Sequence, residues 1–240
     1  MKTKSINWLF IIICVVALFV GCAPKAETDL LECDAATMTQ FPYNENGVIV
    51  AKHQKITPVA EHPGMVKIET YYVNEGKPIT VRAYEMCRTE VEATDSVVWS
   101  LQPSSTSGRL DWVLPVTEGF KKENYLGMNN TDYGGGIPVV DLWQKDGGVA
   151  IGLIEPVLRM ISMPVEWKRY ENKVSMSLRY EFEWPVELNT GDTLHTSTAF
   201  RYEHKGDFFN ALRTFSEVMQ KDAGIELPAS EPEAFEPVWC

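Results

Sequence analysis

Between Val174 and Trp184 apolar and polar residues alternate without a break. Val174, Met176, Leu178, Tyr180, Phe182 and Trp184 fall on one side of an extended chain. Ser175, Ser177, Arg179, Glu181 and Glu183 fall on the other. A period of two predicts a strand with one buried face and one wet face. The turn residues Asn189-Thr190-Gly191-Asp192 follow, then a second alternating run through Leu194, Thr196, Thr198, Phe200 and Tyr202. The two runs are expected to form a long antiparallel hairpin. Shorter β-branched or aromatic runs lie at Val48–Val50, Met65–Val73, Ile79–Met86 and Val97–Leu101, each bounded by Gly, Pro, Asn or Asp. The period changes once. Phe208, Leu212, Phe215 and Met219 recur at helical spacing, with Asp207 placed to cap the start and Gly224 to end it. The pattern predicts a mainly β chain: an antiparallel two-sheet β-sandwich over 47–204, one helix over 205–224, then a Pro- and Glu-rich linker.

The first residues read as an address. Lys2 and Lys4 precede an uncharged run from Trp8 to Val20. Thirteen helical residues span about 20 Å, short of a hydrocarbon core of roughly 30 Å, which fits a secretory signal better than a membrane span. The run closes on Leu18-Phe19-Val20-Gly21-Cys22, which resembles a bacterial lipobox. That resemblance implies cleavage after residue 21 and lipidation of Cys22. The chain is then an exported lipoprotein anchored in a bacterial membrane, on its periplasmic or cell-surface side. Residues 22–46 read as a tether and lead-in segment.

Composition narrows the partners. The 240 residues are 45% apolar and 23% charged, as in an ordinary globular protein. Lys and Arg number 22 against 33 Asp and Glu, a formal charge of −11, which repels phosphate backbones and argues against nucleic acid as the main partner. Of five Cys, Cys14 lies in the signal and Cys22 carries the lipid. Cys33, Cys87 and Cys240 remain, too few for a disulfide framework, although a Cys33–Cys87 bridge fits an oxidising compartment. His53, His62, His195 and His204 fall in no metal-binding spacing, and neither a metal nor a cofactor is expected. Asn129-Asn130-Thr131 matches a glycosylation pattern that carries little meaning beside a lipobox.

The middle of the chain carries the candidate chemistry. Asn129, Asn130 and Tyr133 precede three consecutive glycines, Gly134, Gly135 and Gly136, where another surface can approach the bare backbone. Pro138 follows, then Asp141 and Trp143, two apart and therefore on one face of an extended chain. A carboxylate beside an indole suits a sugar, because the acid accepts hydroxyl hydrogen bonds and the ring packs on C–H faces. The same residues also suit a glycine-rich loop that closes a sandwich, with Trp143 in the core.

The order of three pieces resembles the N-terminal β-sandwich of alpha-galactosidase-like glycoside hydrolases, family 36 and its clan relatives. They are Gly134-Gly135-Gly136-Ile137-Pro138-Val139-Val140-Asp141-Leu142-Trp143, Ser162-Met163-Pro164-Val165, and Glu236-Pro237-Val238-Trp239-Cys240. In that family a sandwich is followed by a helix, a linker and a (β/α)₈ barrel. The resemblance implies that residues 225–240 are a linker and the first residues of the barrel. It also implies a retaining mechanism with two Asp on later barrel strands, the nucleophile within a Lys-x-Asp motif. Neither Asp lies within these 240 residues. Lys205-Gly206-Asp207 matches the motif literally but opens a helix. The expectation is thus the front portion of a glycosidase acting on terminal alpha-linked sugars, with no catalytic residue of its own. Its partners would be a glycoside or oligosaccharide and a barrel supplied in cis or in trans. Asp141, Trp143, Tyr133, Asn129 and Asn130 would border the substrate. The alternative is a non-catalytic lipoprotein that binds carbohydrate or docks a subunit.

Overall fold

The computed structural model describes residues 30–93, 97–103, 112–122, 125–128, 134–135, 137–155, 159 and 161–226. Within them the chain forms eighteen strands and one helix. The first six strands are β1 (Leu31–Cys33), β2 (Thr37–Met38), β3 (Tyr43–Glu45), β4 (Val48–Pro58), β5 (Met65–Asn74) and β6 (Ile79–Glu92). Next come β7 (Val98–Leu101), β8 (Val113–Val116), β9 (Lys121–Lys122), β10 (Tyr125–Met128), β11 (Gly134–Gly135) and β12 (Val139–Gln144). The last are β13 (Gly147–Leu153), β14 (Ile161–Ser162), β15 (Val165–Lys168), β16 (Lys173–Leu188), β17 (Thr193–His195) and β18 (Ala199–Lys205), followed by α1 (Phe208–Ala223).

Two nine-stranded sheets result. One runs β11–β10–β14–β16–β6–β1–β2, with β15 on β16 and β9 on β15. The other runs β3–β4–β5–β18–β13–β12–β7–β8, with β17 on β5. The pairs are antiparallel except β10–β11, which is parallel. Between the sheets lies the main core, where Val81, Met86 and Leu178 of the first sheet meet Ile68, Tyr72 and Leu142 of the second. This is the two-sheet sandwich that the alternating runs predict.

Three expectations change. The residues read as a lead-in contain β1 and β2, which extend the first sheet beyond β6, and Leu31 and Met38 are fully buried. The predicted hairpin is a crossover. β16 pairs with β6 in one sheet, while β17 and β18 pair with β5 in the other. Alternation reveals which face of a strand is buried, not which strand lies beside it. The crossing is pinned by Asn74, fully buried, whose Nδ2 donates to the carbonyls of Leu188 at 2.8 Å and Lys77 at 3.0 Å. Third, Trp184 does not stay on the buried face. The register shifts between Glu181 and Val186, and Trp184 is exposed.

Cys33 and Cys87 are both buried free thiols. Cys33 sits opposite Val81, six residues before Cys87 on the same strand, about 20 Å away along an extended chain. A disulfide needs Cα atoms within about 7 Å.

The helix covers the outer face of the second sheet. Asp207 caps it, its Oδ1 accepting from the Phe209 N–H at 3.1 Å, and Gly224 ends it in the left-handed region at φ 62°. Ala211, Leu212, Phe215 and Val218 pack on Met65, Val139, Ala150 and Phe200. At its C-terminal end, Lys221 pairs with Glu61 and Lys67 with Asp222. Among the described residues no helix is long and apolar enough to cross a membrane.

Candidate functional site

The glycine run and the Asp141–Trp143 pair part company. Gly134 and Gly135 form β11 at the edge of the first sheet, where both lie beside Gly127 of β10. Asp141 and Trp143 stand on β12 in the second sheet. Asn129, Asn130, Tyr133 and Gly136 lie outside the described residues, as do Cys22 and the linker residues from 227 to 240.

Asp141 and Trp143 do share a face, and it is the face turned to α1. Trp143 is nearly buried, its ring centroid 5.2 Å from that of Phe208 in the first turn of the helix. Asp141 is fully buried. The reason is the size of side chains on the next strand. The helix-facing positions of β13 are Gly148, Ala150 and Gly152, opposite Trp143, Asp141 and Val139 on β12. On the other side the same three residues oppose His204, Tyr202 and Phe200 of β18. A column of small residues therefore runs between two columns of large ones, which lean together over it. A Cβ on Gly148 would come within 2.5 Å of the Trp143 Cβ.

Across this gap the His204 Nε2–H donates to Asp141 Oδ1 at 2.9 Å, with both side chains wholly out of solvent. The other ring nitrogen, Nδ1, faces the Lys205 carbonyl at 3.4 Å. Both nitrogens thus point at acceptors, which suits the imidazolium. Burial pulls the His204 pKa down, but the hydrogen bond and charge of Asp141 more than offset it, and the group is held above the usual histidine value. Burial pushes the Asp141 carboxyl above the ordinary carboxylate range, opposed by the His204 hydrogen bond. Asp141 Oδ2 has no hydrogen-bond partner. The arrangement is a buried ion pair, with both side chains out of solvent.

A cleft of about 490 Å³ opens between the two sheets near the β12–β13 turn. Glu90, Glu92, Asp146, Arg201 and Glu203 line it. Its charges are largely mutual: Arg201 pairs with Glu203 at 2.8 Å, and Lys173 with Glu90 at 3.4 Å. Among the described residues no group of His, Cys, Asp and Glu is placed to hold a metal ion. The pairing of His204 is not readable from the sequence, since its partner Asp141 lies 63 residues earlier.

No family profile matches the chain. One curated relative is a blood-group A type alpha-D-galactosamine galactosaminidase from Flavonifractor plautii, 24% identical over 198 residues. The match takes in 72% of this chain and 17% of that protein. Among solved structures, the galactosidase domain of the alpha-galactosidase-sucrose kinase AgaSK superposes with a TM-score of 0.51 at 15% identity. That superposition covers 65% of this chain and 22% of that one. A family 36 alpha-galactosidase, AgaA from Geobacillus stearothermophilus, solved as a double variant with raffinose, gives 0.51 at 12% identity, over 67% and 23%. The chain therefore spans about a fifth of the length of the proteins it matches. It carries the β-sandwich fold found in family 36 alpha-galactosidases and resembles the N-terminal portion of such an enzyme.

Proposed function

We propose that this chain is the N-terminal sandwich of an exported glycoside hydrolase that cleaves terminal alpha-linked sugars. It supports a catalytic barrel and borders its active site. The observation that carries the reading is the joint match: a sandwich superposing on two alpha-galactosidases, and 198 residues aligned with a galactosaminidase. Those relatives act on alpha-galactosyl or alpha-galactosaminyl groups by name, and one was solved with raffinose, so the substrate class proposed here is an alpha-galactoside or its 2-amino counterpart.

Bordering of the substrate falls to the segment around Asn129, Asn130, Tyr133 and Gly134–Gly136, because Asp141 and Trp143 are enclosed beneath α1. Anchoring through Cys22 places the enzyme on the outer side of a membrane, where glycan substrates arrive. The test has two arms. The gene is sequenced beyond codon 240, and the chain is assayed with aryl alpha-galactosides alone and joined to the barrel so encoded. Turnover only in the joined protein supports the proposal. Absence of a barrel, together with binding of the isolated chain on a glycan array, favours a free-standing carbohydrate-binding lipoprotein instead.

A further inference from the structure

Three residues, Lys205-Gly206-Asp207, separate His204 from the start of helix α1, with Gly206 in the left-handed region at φ 74°. The histidine is thus the last buried side chain before the chain leaves the sheet. The helix is held at two ends by different means. Its C-terminal end is tied by the surface pairs Lys221–Glu61 and Lys67–Asp222. Its N-terminal end rests on Trp143 through Phe208, and Trp143 stands one position beyond Asp141 on the same face.

We infer that the buried Asp141–His204 pair is a proton-operated latch that seats the first turn of α1 on the sheet. With His204 protonated, one ring nitrogen serves the carboxylate and the other the Lys205 carbonyl. His204 is the one charged side chain bonded to the carboxylate among the described residues, and Oδ2 has no hydrogen-bond partner. When His204 loses its proton, a buried carboxylate is left without a compensating charge. An uncompensated buried charge is strongly unfavourable, and the structure relieves it by admitting water. Trp143, next to Asp141 on the same face, makes the Phe208 contact, and the latch takes that contact as the cover that lifts to admit water.

Other charged groups bear on the pair from each element packed against it. From α1, Asp207 raises both pKa values by its charge. From β18, the Tyr202 ring lies 5.7 Å from the imidazole, and Lys205 follows it. His204 also lines the cleft that holds Lys145 and Asp146 of the β12–β13 turn, Glu90 and Glu92 of β6, and Arg201 and Glu203 of β18. The facing positions of β13 are glycine and alanine and carry no charge.

The test follows the His204 ring by nitrogen NMR in the 240-residue chain from pH 6 to 9, together with amide hydrogen exchange in α1 corrected for intrinsic rates. Protection of residues 209–212 is expected to fall as His204 loses its proton. The fall should share the midpoint of the His204 titration, while residues 218–222 stay protected. Asp141→Asn keeps a hydrogen-bond acceptor without the charge and should abolish the pH dependence. First-turn protection that ignores the titration overturns the latch, as does the same pH dependence in Asp141→Asn. If that variant does not fold, the wild-type midpoints decide: coincidence supports the latch and separation overturns it.

Discussion

Trp143 and Gly148 face each other across the β12–β13 pair, and the Trp143 Cβ occupies the space a side chain on Gly148 would need. The Leu142 carbonyl oxygen is equally close, 2.5 Å from the absent Cβ. Backbone cannot swing aside as a flexible side chain does. Gly148→Ala is therefore expected to cost about 1–3 kcal/mol through overpacking. In a domain of this size that lowers Tm by roughly 2–4 °C per kcal/mol. Thermal unfolding checks it, and a variant as stable as the parent would show that the small-residue column is incidental.

Removing Asp141 tests the buried pair. Asp141→Ala leaves His204 charged and enclosed, and is expected to cost about 3–5 kcal/mol, while Asp141→Asn costs less. The sign of the pH dependence follows from the raised His204 value. A folded pKa above the unfolded one gives stability that is complete below pH about 6.5 and is lost as pH rises through the folded value. The raised Asp141 pKa acts in the same sense at lower pH, since the folded state there also holds more protons. Denaturant unfolding of wild type minus Asp141→Asn should thus show a stability difference that shrinks above pH 6.5. A difference that grows would contradict the assignment.

Asn74 joins the two sheets where the chain crosses from β16 to β17. Its amide serves the Leu188 and Lys77 carbonyls, and its Oδ1 accepts from the Gly76 N–H at 3.1 Å. Asn74→Ala takes the amide donor from the buried Leu188 carbonyl, at about 1–3 kcal/mol. Urea unfolding should show a lower midpoint with the slope unchanged. An unmoved midpoint would mean that water replaces the amide.

Burial pushes the Cys87 thiol up to about 12, and the side chain is out of solvent. Only the thiolate reacts, so Cys87 should resist iodoacetamide at pH 8 in the folded chain and label fully in urea. Peptide mapping by mass spectrometry reads the result. A Cys33–Cys87 disulfide-linked peptide in the oxidised protein would refute the placement of these strands.

Anchoring is testable by one substitution. Cys22→Ser should abolish incorporation of labelled acyl chains and release the protein from membranes after processing. Acylation that persists in the variant would remove Cys22 from that role.

Much of the fold was legible in the chain. The run read as period two along β16 and the switch to helical spacing at Phe208 mark real elements, although β16 is buried on both faces from Val174 to Leu178, Ser175 and Ser177 included. The caps Asp207 and Gly224 were readable too. What sequence did not reveal was partnership. β16 and the β17–β18 run looked like neighbours because one follows the other in sequence, yet β16 pairs with β6 in one sheet and β17 and β18 pair with β5 in the other. The shared face of Asp141 and Trp143 was predictable, but its occupant was not. A sugar and a helix both satisfy a carboxylate beside an indole. The usable clue was the run Gly148, Ala150, Gly152: small residues at alternate positions signal large neighbours converging from both sides. The two-strand start at Leu31–Met38 was hidden by its brevity, since β1 and β2 are too short to show any period.

The pairing of β6 with β16 also governs the order in which the molecule is made. Their partners, such as Cys87 and Leu178, stand about 90 residues apart, so this central seam closes only after nearly the whole sandwich has emerged. The β4–β5 and β12–β13 hairpins need no such wait. During synthesis β6 therefore presents one unsatisfied edge for most of the chain's emergence. A nascent polypeptide halted before residue 173 exposes that edge to its neighbours, and an unpaired strand edge is a template for pairing between chains.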